Sequence, residues 1–194
     1  DTPITIGLQG EWGTGKTSLM YMLREELDNK NVATSWVNTW EYSMFRGAKE
    51  TTPAVLNGLL TTLEESCGSN WTIKQETEKA MKKVGRFFGN LVNQVATNQL
   101  GVDIKAAAEN QAEVLTRAEI AQIKADISDI IDKLIKDSNN KYQRVVFFVD
   151  DLDRINPTDA VEVLEALKNM FDMDHCIFVL AIDYEVVVKG LEGK

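Results

Sequence analysis

Apolar residues follow two kinds of pattern along this chain: short runs, and stripes at helical spacing. Ile4 to Gly10, "ITIGLQG", reads as a short buried strand that enters a turn. A helix is expected from about Lys16, where Leu19, Leu23 and Leu27 recur every fourth residue opposite Arg24, Glu25 and Glu26. Asp28 to Asn31 supplies turn and cap residues that end it. Ala33 to Trp40, "ATSWVNTW", reads as a second strand with alternating faces. Pro53 suits the first turn of a further helix, with Val55, Leu56, Leu59, Leu60 and Leu63 as its apolar face.

Residues 71–140 read as mostly helical, and their apolar stripe runs from Leu115 and Ala118 through Ile123, Ile127 and Ile131 to Leu134. Arg144 to Asp151, "RVVFFVDD", is a continuous apolar run ending in two acids, as suits a central strand buried on both faces. Asn156-Pro157 is a helix start, cap then first helical residue. Cys176 to Asp183, "CIFVLAID", is a second central strand, and Tyr184 opens a last helix. Strands alternate with helices, and a helical insertion separates the second strand from the third. That order predicts an α/β sandwich with a mostly parallel sheet.

Composition narrows the function classes. At 194 residues the chain can bury one sizeable core, and a single domain is expected. A net charge of -9 argues against direct nucleic-acid binding by this segment. The two cysteines, Cys67 and Cys176, form no CxxC pattern; Cys176 opens an apolar run and is expected in the core. This usage fits a reducing, cytoplasmic compartment. His175 is the sole histidine, so a His/Cys metal centre lacks ligands, and a turn position is expected for it. No stretch reaches the ~20 apolar residues of a membrane span. Both ends look cut, as in a piece of a longer protein.

The chemistry is concentrated in Gly10-Glu11-Trp12-Gly13-Thr14-Gly15-Lys16-Thr17, which fits G-x-x-x-x-G-K-[ST] at every fixed position. Glycines let successive N–H groups turn toward one anion, and the following helix aims its positive end at the same point. Lys16 would meet the β- and γ-phosphates, and Thr17 would give its hydroxyl to Mg2+. The nucleotide-binding set is Gly10, Trp12, Gly13, Thr14, Gly15, Lys16, Thr17 and Ser18. Trp12 could stack on the nucleotide, although packing beneath the loop is the expected place.

A phosphate loop needs an acid on a neighbouring strand. Asp150 suits the metal, through its water shell, and Asp151 suits the base that polarises the attacking water. Adjacent strand residues face opposite ways, so the two carboxylates divide the work unless the strand has already ended. Asp151 could otherwise only cap nearby backbone. Asp153 is a rival base. Arg154 could neutralise phosphate, reach a neighbouring subunit, or pair with Asp153, which is the simplest of the three. Asp183 ends the next strand at the same edge, as a γ-phosphate sensor or as a helix cap.

Four stretches together resemble the KAP group of P-loop NTPases: "GLQGEWGTGKTSLM", "WVNTWEY", "VVFFVDDLDR" and "FVLAIDYEVV". They carry a phosphate loop with an internal tryptophan, an N-x-W motif at Asn38 to Trp40, a D-D-L-D-R box at Asp150 to Arg154, and an apolar strand ending at Asp183. The resemblance implies a three-layer P-loop NTPase sandwich of the additional-strand class. Its sheet order is 5-1-4-3-2, with the fifth strand beyond Lys194. It implies ATP and Mg2+ as cofactors, and self-association or a partner protein engaged through that further region. Members of the family include animal membrane scaffolds and bacterial proteins linked to phage exclusion, many with transmembrane helices between the two Walker motifs. Residues 71–140 occupy that place here and cannot span a bilayer, so a soluble bacterial-type member is expected. Lys79, Lys82, Lys83 and Arg86 precede Phe87, Phe88, Leu91, Val92 and Val95, a pattern that fits a core helix or, less simply, a membrane-surface helix.

Three functions follow from these readings. The first is an ATPase whose cycle switches conformation or assembly, in a process that the resemblance would make anti-phage defence. The second is a nucleotide-dependent scaffold with slow or no hydrolysis. The third is a small-molecule kinase, disfavoured because no acceptor-binding arginine pattern is present. The guanine-reading N-K-x-D motif is absent, so ATP is preferred to GTP.

Overall fold

The computed structural model describes residues 2–28, 30–43, 48–66, 73–84, 105–137 and 142–192. Strand β3 (Arg144–Asp150) is the apolar run before the acids, and every residue after Arg144 in it is buried. β3 pairs in parallel with β2 (Val32–Asn38) on one side and β4 (Cys176–Ile182) on the other. β4 pairs in parallel with β1 (Ile4–Gln9), so the sheet order is β1-β4-β3-β2. One strand therefore separates the phosphate-loop strand from the strand bearing Asp150. This is the additional-strand arrangement, and it reproduces the 1-4-3-2 part of the expected order. Among the described residues no strand covers the free edge of β1.

Seven helices are described: α1 (Lys16–Asp28), α2 (Thr39–Ser43), α3 (Ala48–Ser66), α4 (residues 73–84), α5 (Lys105–Asp137), α6 (Pro157–Lys168) and α7 (Tyr184–Glu192). Alternation along the strands sorts their side chains into two cores. On one face Met20 of α1 packs with Val146, Phe148, Val179 and Ala181. Tyr21 stacks on Trp36 there at 4.4 Å. On the other face Phe147 and Phe178 stack at 5.0 Å. They share a cluster with Leu59 and Leu63 of α3, Ile131 of α5 and Leu167 of α6. Cys176 joins that core, where burial pushes its thiol up to about 12. His175 is the exposed turn residue before β4, at φ 63°.

Several local expectations change in the fold. β2 ends at Asn38, and Thr39 and Trp40 begin α2 instead of extending the strand. Thr34 and Ser35 are both buried because α1 and α3 cover the two faces of β2; the Ser35 hydroxyl donates to Leu59 O at 3.0 Å. The buried residue of α1 is Met20, while Leu19 and Leu23 are exposed. The helix leans toward β2 through Tyr21 and Trp36, which rotates the leucine stripe off the sheet. Pro53 lies inside α3, since the helix starts at Ala48 and its ladder tolerates the missing donor. Ala118 is exposed, although Ile123, Ile127, Ile131 and Leu134 are buried as the stripe required.

No described helix is long and apolar enough to cross a membrane. The aromatic and aliphatic residues of the surface-helix reading, Phe87, Phe88, Leu91, Val92 and Val95, lie outside the described residues, as does Arg86. Lys83 pairs with Asp126 at 2.7 Å and Lys79 with Glu76 at 3.1 Å.

Two stability predictions arise here. At Gly190 a Cβ would overlap the Pro157 carbonyl oxygen and stand 2.6 Å from Val161 Cγ2. Gly190→Ala would gain up to about 1 kcal/mol of helix propensity, but overpacking costs roughly 1–3 kcal/mol. Because the clash is with backbone, overpacking should win, and a lowered denaturation midpoint is expected; a raised one would refute the close α6–α7 contact.

Asp159, in the first turn of α6, has its carboxyl pushed up by burial. Its folded pKa lies above the unfolded value of about 3.9, so its ionisation opposes folding as pH rises through that interval. Asp159→Asn should therefore raise the melting temperature at pH 7, and the gain should close as pH falls toward about 4. A gain that is equally large at both pH values would contradict this assignment.

Candidate functional site

The carboxyl ends of the parallel strands converge on one edge, where α/β sheets place ligands. β1 delivers the loop from Gly10 to Lys16, β3 delivers Asp150, β2 delivers Asn38, and β4 delivers Asp183. The Gly10 N–H donates to Ile182 O at 3.4 Å, which ties the loop to the end of β4.

The loop closes on itself. Thr14 donates to Glu11 O from its backbone at 3.3 Å and from its hydroxyl at 2.8 Å. Gly13 and Gly15 have φ of 84° and 90°, a region that side chains disfavour. Gly10 is required for closeness, because a Cβ there would stand 2.6 Å from Thr14 Oγ1. α1 starts at Lys16, directly after the loop, so its unpaired N–H groups face the loop's concavity. Thr17 is half-buried and Ser18 exposed on that first turn.

Trp12 does not pack beneath the loop. It is 76% exposed, because it occupies the outer corner of the turn that Glu11 and Thr14 close. Its ring centroid lies 6.0 Å from the Arg154 guanidinium carbon.

Lys16 is already engaged. Its ammonium donates to Gly10 O at 2.7 Å, Glu11 O at 3.2 Å and Asp153 Oδ2 at 2.8 Å. The Lys16 and Asp153 side chains are only 10% and 6% exposed, so this is a sheltered ion pair. Asp153, the rival base in the sequence, therefore serves as the partner of the phosphate-loop lysine.

Asp150 is the last residue of β3 and Asp151 lies at φ 57°. The left-handed conformation costs an L-residue on the order of 1–2 kcal/mol and is best tolerated by Asp and Asn. It breaks the strand alternation, so both carboxylates can serve the same edge. The buried Asp150 accepts the Asp151 N–H through Oδ1 at 2.8 Å, and its carbonyl accepts the Thr39 hydroxyl at 2.9 Å. Its second carboxyl oxygen has no hydrogen bond among the described residues. Burial and the neighbouring Asp150 push the Asp151 carboxyl up, and Arg154 and Asn38 partly offset them.

The pairing of Arg154 departs from the sequence reading. Its Nε lies 2.7 Å from Asp151 Oδ1, so it pairs with Asp151 and not with Asp153. The cause is the turn after β3, which the Arg154 N–H closes onto Asp151 O at 3.1 Å. That turn brings residues 151 and 154 together and projects Asp153 toward Lys16. Asp183 caps α7, with Oδ1 accepting the Glu185 N–H at 2.9 Å.

One site residue was visible in the sequence only as part of the N-x-W motif. Asn38 pairs in register with Asp150, and its amide is near enough to Asp151 to help hold that carboxyl down. Its Oδ1 accepts the Trp40 N–H at 3.0 Å, which orients the amide and sets Trp40 beside Arg154 at 6.0 Å.

Among the described residues no group of three or more His, Cys, Asp and Glu side chains is gathered to hold a metal. A metal here would need a second source of oxygens besides Thr17 and Asp150, and nucleotide phosphates supply it.

A parallel sheet with one strand inserted between the phosphate-loop strand and the D-D-L-D-R strand defines an additional-strand P-loop NTPase domain. The family model for the KAP family P-loop domain matches residues 1–194, and the chain belongs to that family. Compared with curated proteins, the chain has no significant match.

Proposed function

We propose that this domain binds a magnesium–nucleoside triphosphate, ATP before GTP, and hydrolyses the β–γ bond to switch conformation or assembly. The observation that carries this reading is the convergence of Lys16 and Asp151 on one sheet edge from opposite ends of the chain. The loop amides, Thr14 and Ser18 would surround the phosphates. Lys16 would lie against the β- and γ-phosphates, and Thr17 and the water shell of Asp150 would hold Mg2+, which supplies charge neutralisation.

Asp151 would accept the proton of the attacking water. The water oxygen bonds to the γ-phosphorus, the bond from that phosphorus to the β–γ bridging oxygen breaks, and the diphosphate leaves. The proton then passes from Asp151 to solvent. Phosphate release measured with ATP and GTP, each with and without Mg2+, tests the reading. Release that ignores Mg2+ would overturn it.

One observation favours the second reading, a scaffold with slow hydrolysis. Lys16 and Arg154 are already paired with carboxylates, so each pair must open before chemistry. Nucleotide binding without phosphate release would select it. A part in anti-phage defence rests on family resemblance alone. Comparing phage plating on cells carrying the full-length protein and its Lys16→Ala form would test that part.

A further inference from the structure

The Arg154 side chain is held in a bracket that the hydrolytic reading does not require. Its guanidinium carbon lies 6.0 Å from the ring centroids of Trp12 and Trp40. Trp12 belongs to the phosphate loop, and Trp40 follows the N-x-W turn after β2. Its Nε contacts Asp151 Oδ1 at 2.7 Å. The side chain remains 39% exposed, and the two rings are 76% and 38% exposed. The arginine therefore lies near two aromatic rings and stays partly open to solvent.

The bracket also has a defined end of the nucleotide to face. In a phosphate loop of this spacing the lysine takes the β- and γ-phosphates, and the water-polarising acid lies beyond the γ-phosphorus. Arg154 touches that acid, and Trp12 touches Arg154. Trp12 therefore stands at the γ-phosphate end of the site, away from any base-stacking role.

We propose that Arg154 is the γ-phosphate sensor of this site, swinging from Asp151 to the γ-phosphate of a bound nucleoside triphosphate along the walls formed by Trp12 and Trp40. The proposal rests on the nucleotide-site reading above. In this arrangement the guanidinium occupies Asp151 Oδ1, the oxygen a water would need. A γ-phosphate offers the same fork two or more anionic oxygens, a stronger acceptor than one carboxylate oxygen. Its departure leaves Asp151 Oδ1 free to receive a water. A diphosphate lacks the group that draws Arg154 away, so Asp151 stays blocked. The flat guanidinium can lie against either ring, whereas a lysine ammonium has no plane to stack.

The test is the ratio of affinities for a non-hydrolysable ATP analogue and for ADP, both with Mg2+, measured by calorimetry. Arg154→Ala should lower the preference for the triphosphate roughly 10- to 100-fold while leaving ADP affinity near wild type, the scale of one charged hydrogen bond. Trp12→Ala, at a residue exposed enough to spare the fold, should lower the same ratio by a smaller factor. Arg154→Lys should recover only part of it. An unchanged ratio in Arg154→Ala would show that the arginine merely fastens the turn, and the proposal would fall while the nucleotide site stood. If the wild-type protein binds neither ligand, the site reading falls and takes the proposal with it.

Discussion

Lys16→Ala is expected to abolish nucleotide binding in practice. Removing one partner of a sheltered, hydrogen-bonded charge pair costs about 2–5 kcal/mol or more, roughly 30- to several-thousand-fold in Kd. The structure adds a second loss. Lys16 now neutralises Asp153, whose side chain is 6% exposed. Without the lysine, that carboxylate would remain in the site as a lone anion facing incoming phosphates. The same orphaned charge should lower the melting temperature, because breaking a sheltered pair from one side is worse than never making it. Removing both partners separates the effects. Lys16→Ala with Asp153→Ala should recover much of the melting temperature but not the binding, as read by thermal unfolding and calorimetry with Mg–ATP. Wild-type affinity in Lys16→Ala would remove this lysine from the site.

Asp151→Asn is expected to bind nucleotide almost normally and to slow turnover by about 10²- to 10⁴-fold, the usual worth of a positioned general base. The amide retains an oxygen that can accept from Arg154, so the turn after β3 should persist. What it loses is the capacity to take a proton. Single-turnover phosphate release is the informative measurement, because it isolates the chemical step from product departure. Unchanged release would move the base to another acid. Asp153 would be the first alternative, and its tie to Lys16 makes it a poor one.

Much of this architecture was legible from local pattern. The runs at Arg144 and Cys176 became buried strands because continuous apolar sequence suits a sheet covered on both faces. The run at Ile4 became a strand but not the buried one expected, because β1 lies at the sheet edge with Ile4 and Ile6 exposed. Asn156 and Pro157 became cap and first helical residue, with Asn156 Oδ1 accepting the Thr158 N–H at 3.0 Å. Such signals act within a few residues, and their chemistry does not depend on what packs above them. The stripe at Leu19 and Leu23 misled for the opposite reason. Periodicity shows that a helix has an apolar side, but tertiary packing chooses which residues meet the sheet, and here Met20 does.

The sequence by itself supplied the candidate parts of the proposed site. The glycine spacing, Lys16, Thr17 and the acids at the end of β3 are each demanded by phosphate and metal chemistry, so residue type and spacing reveal them. Sequence also determined the strand–helix alternation, from which a parallel sheet follows. Only the tertiary structure decided how those parts are wired. Lys16 meets Asp153 across a separation of 137 residues, Arg154 turns back onto Asp151, and β2 sets Asn38 in register with Asp150. These pairings depend on strand register and on one residue at φ 57°. An ion pair forms wherever the backbone brings opposite charges close, whether three residues apart, as for Asp151 and Arg154, or 137, as for Lys16 and Asp153. The partner of a charge is therefore fixed by where the backbone brings it, and no local pattern along the chain encodes that.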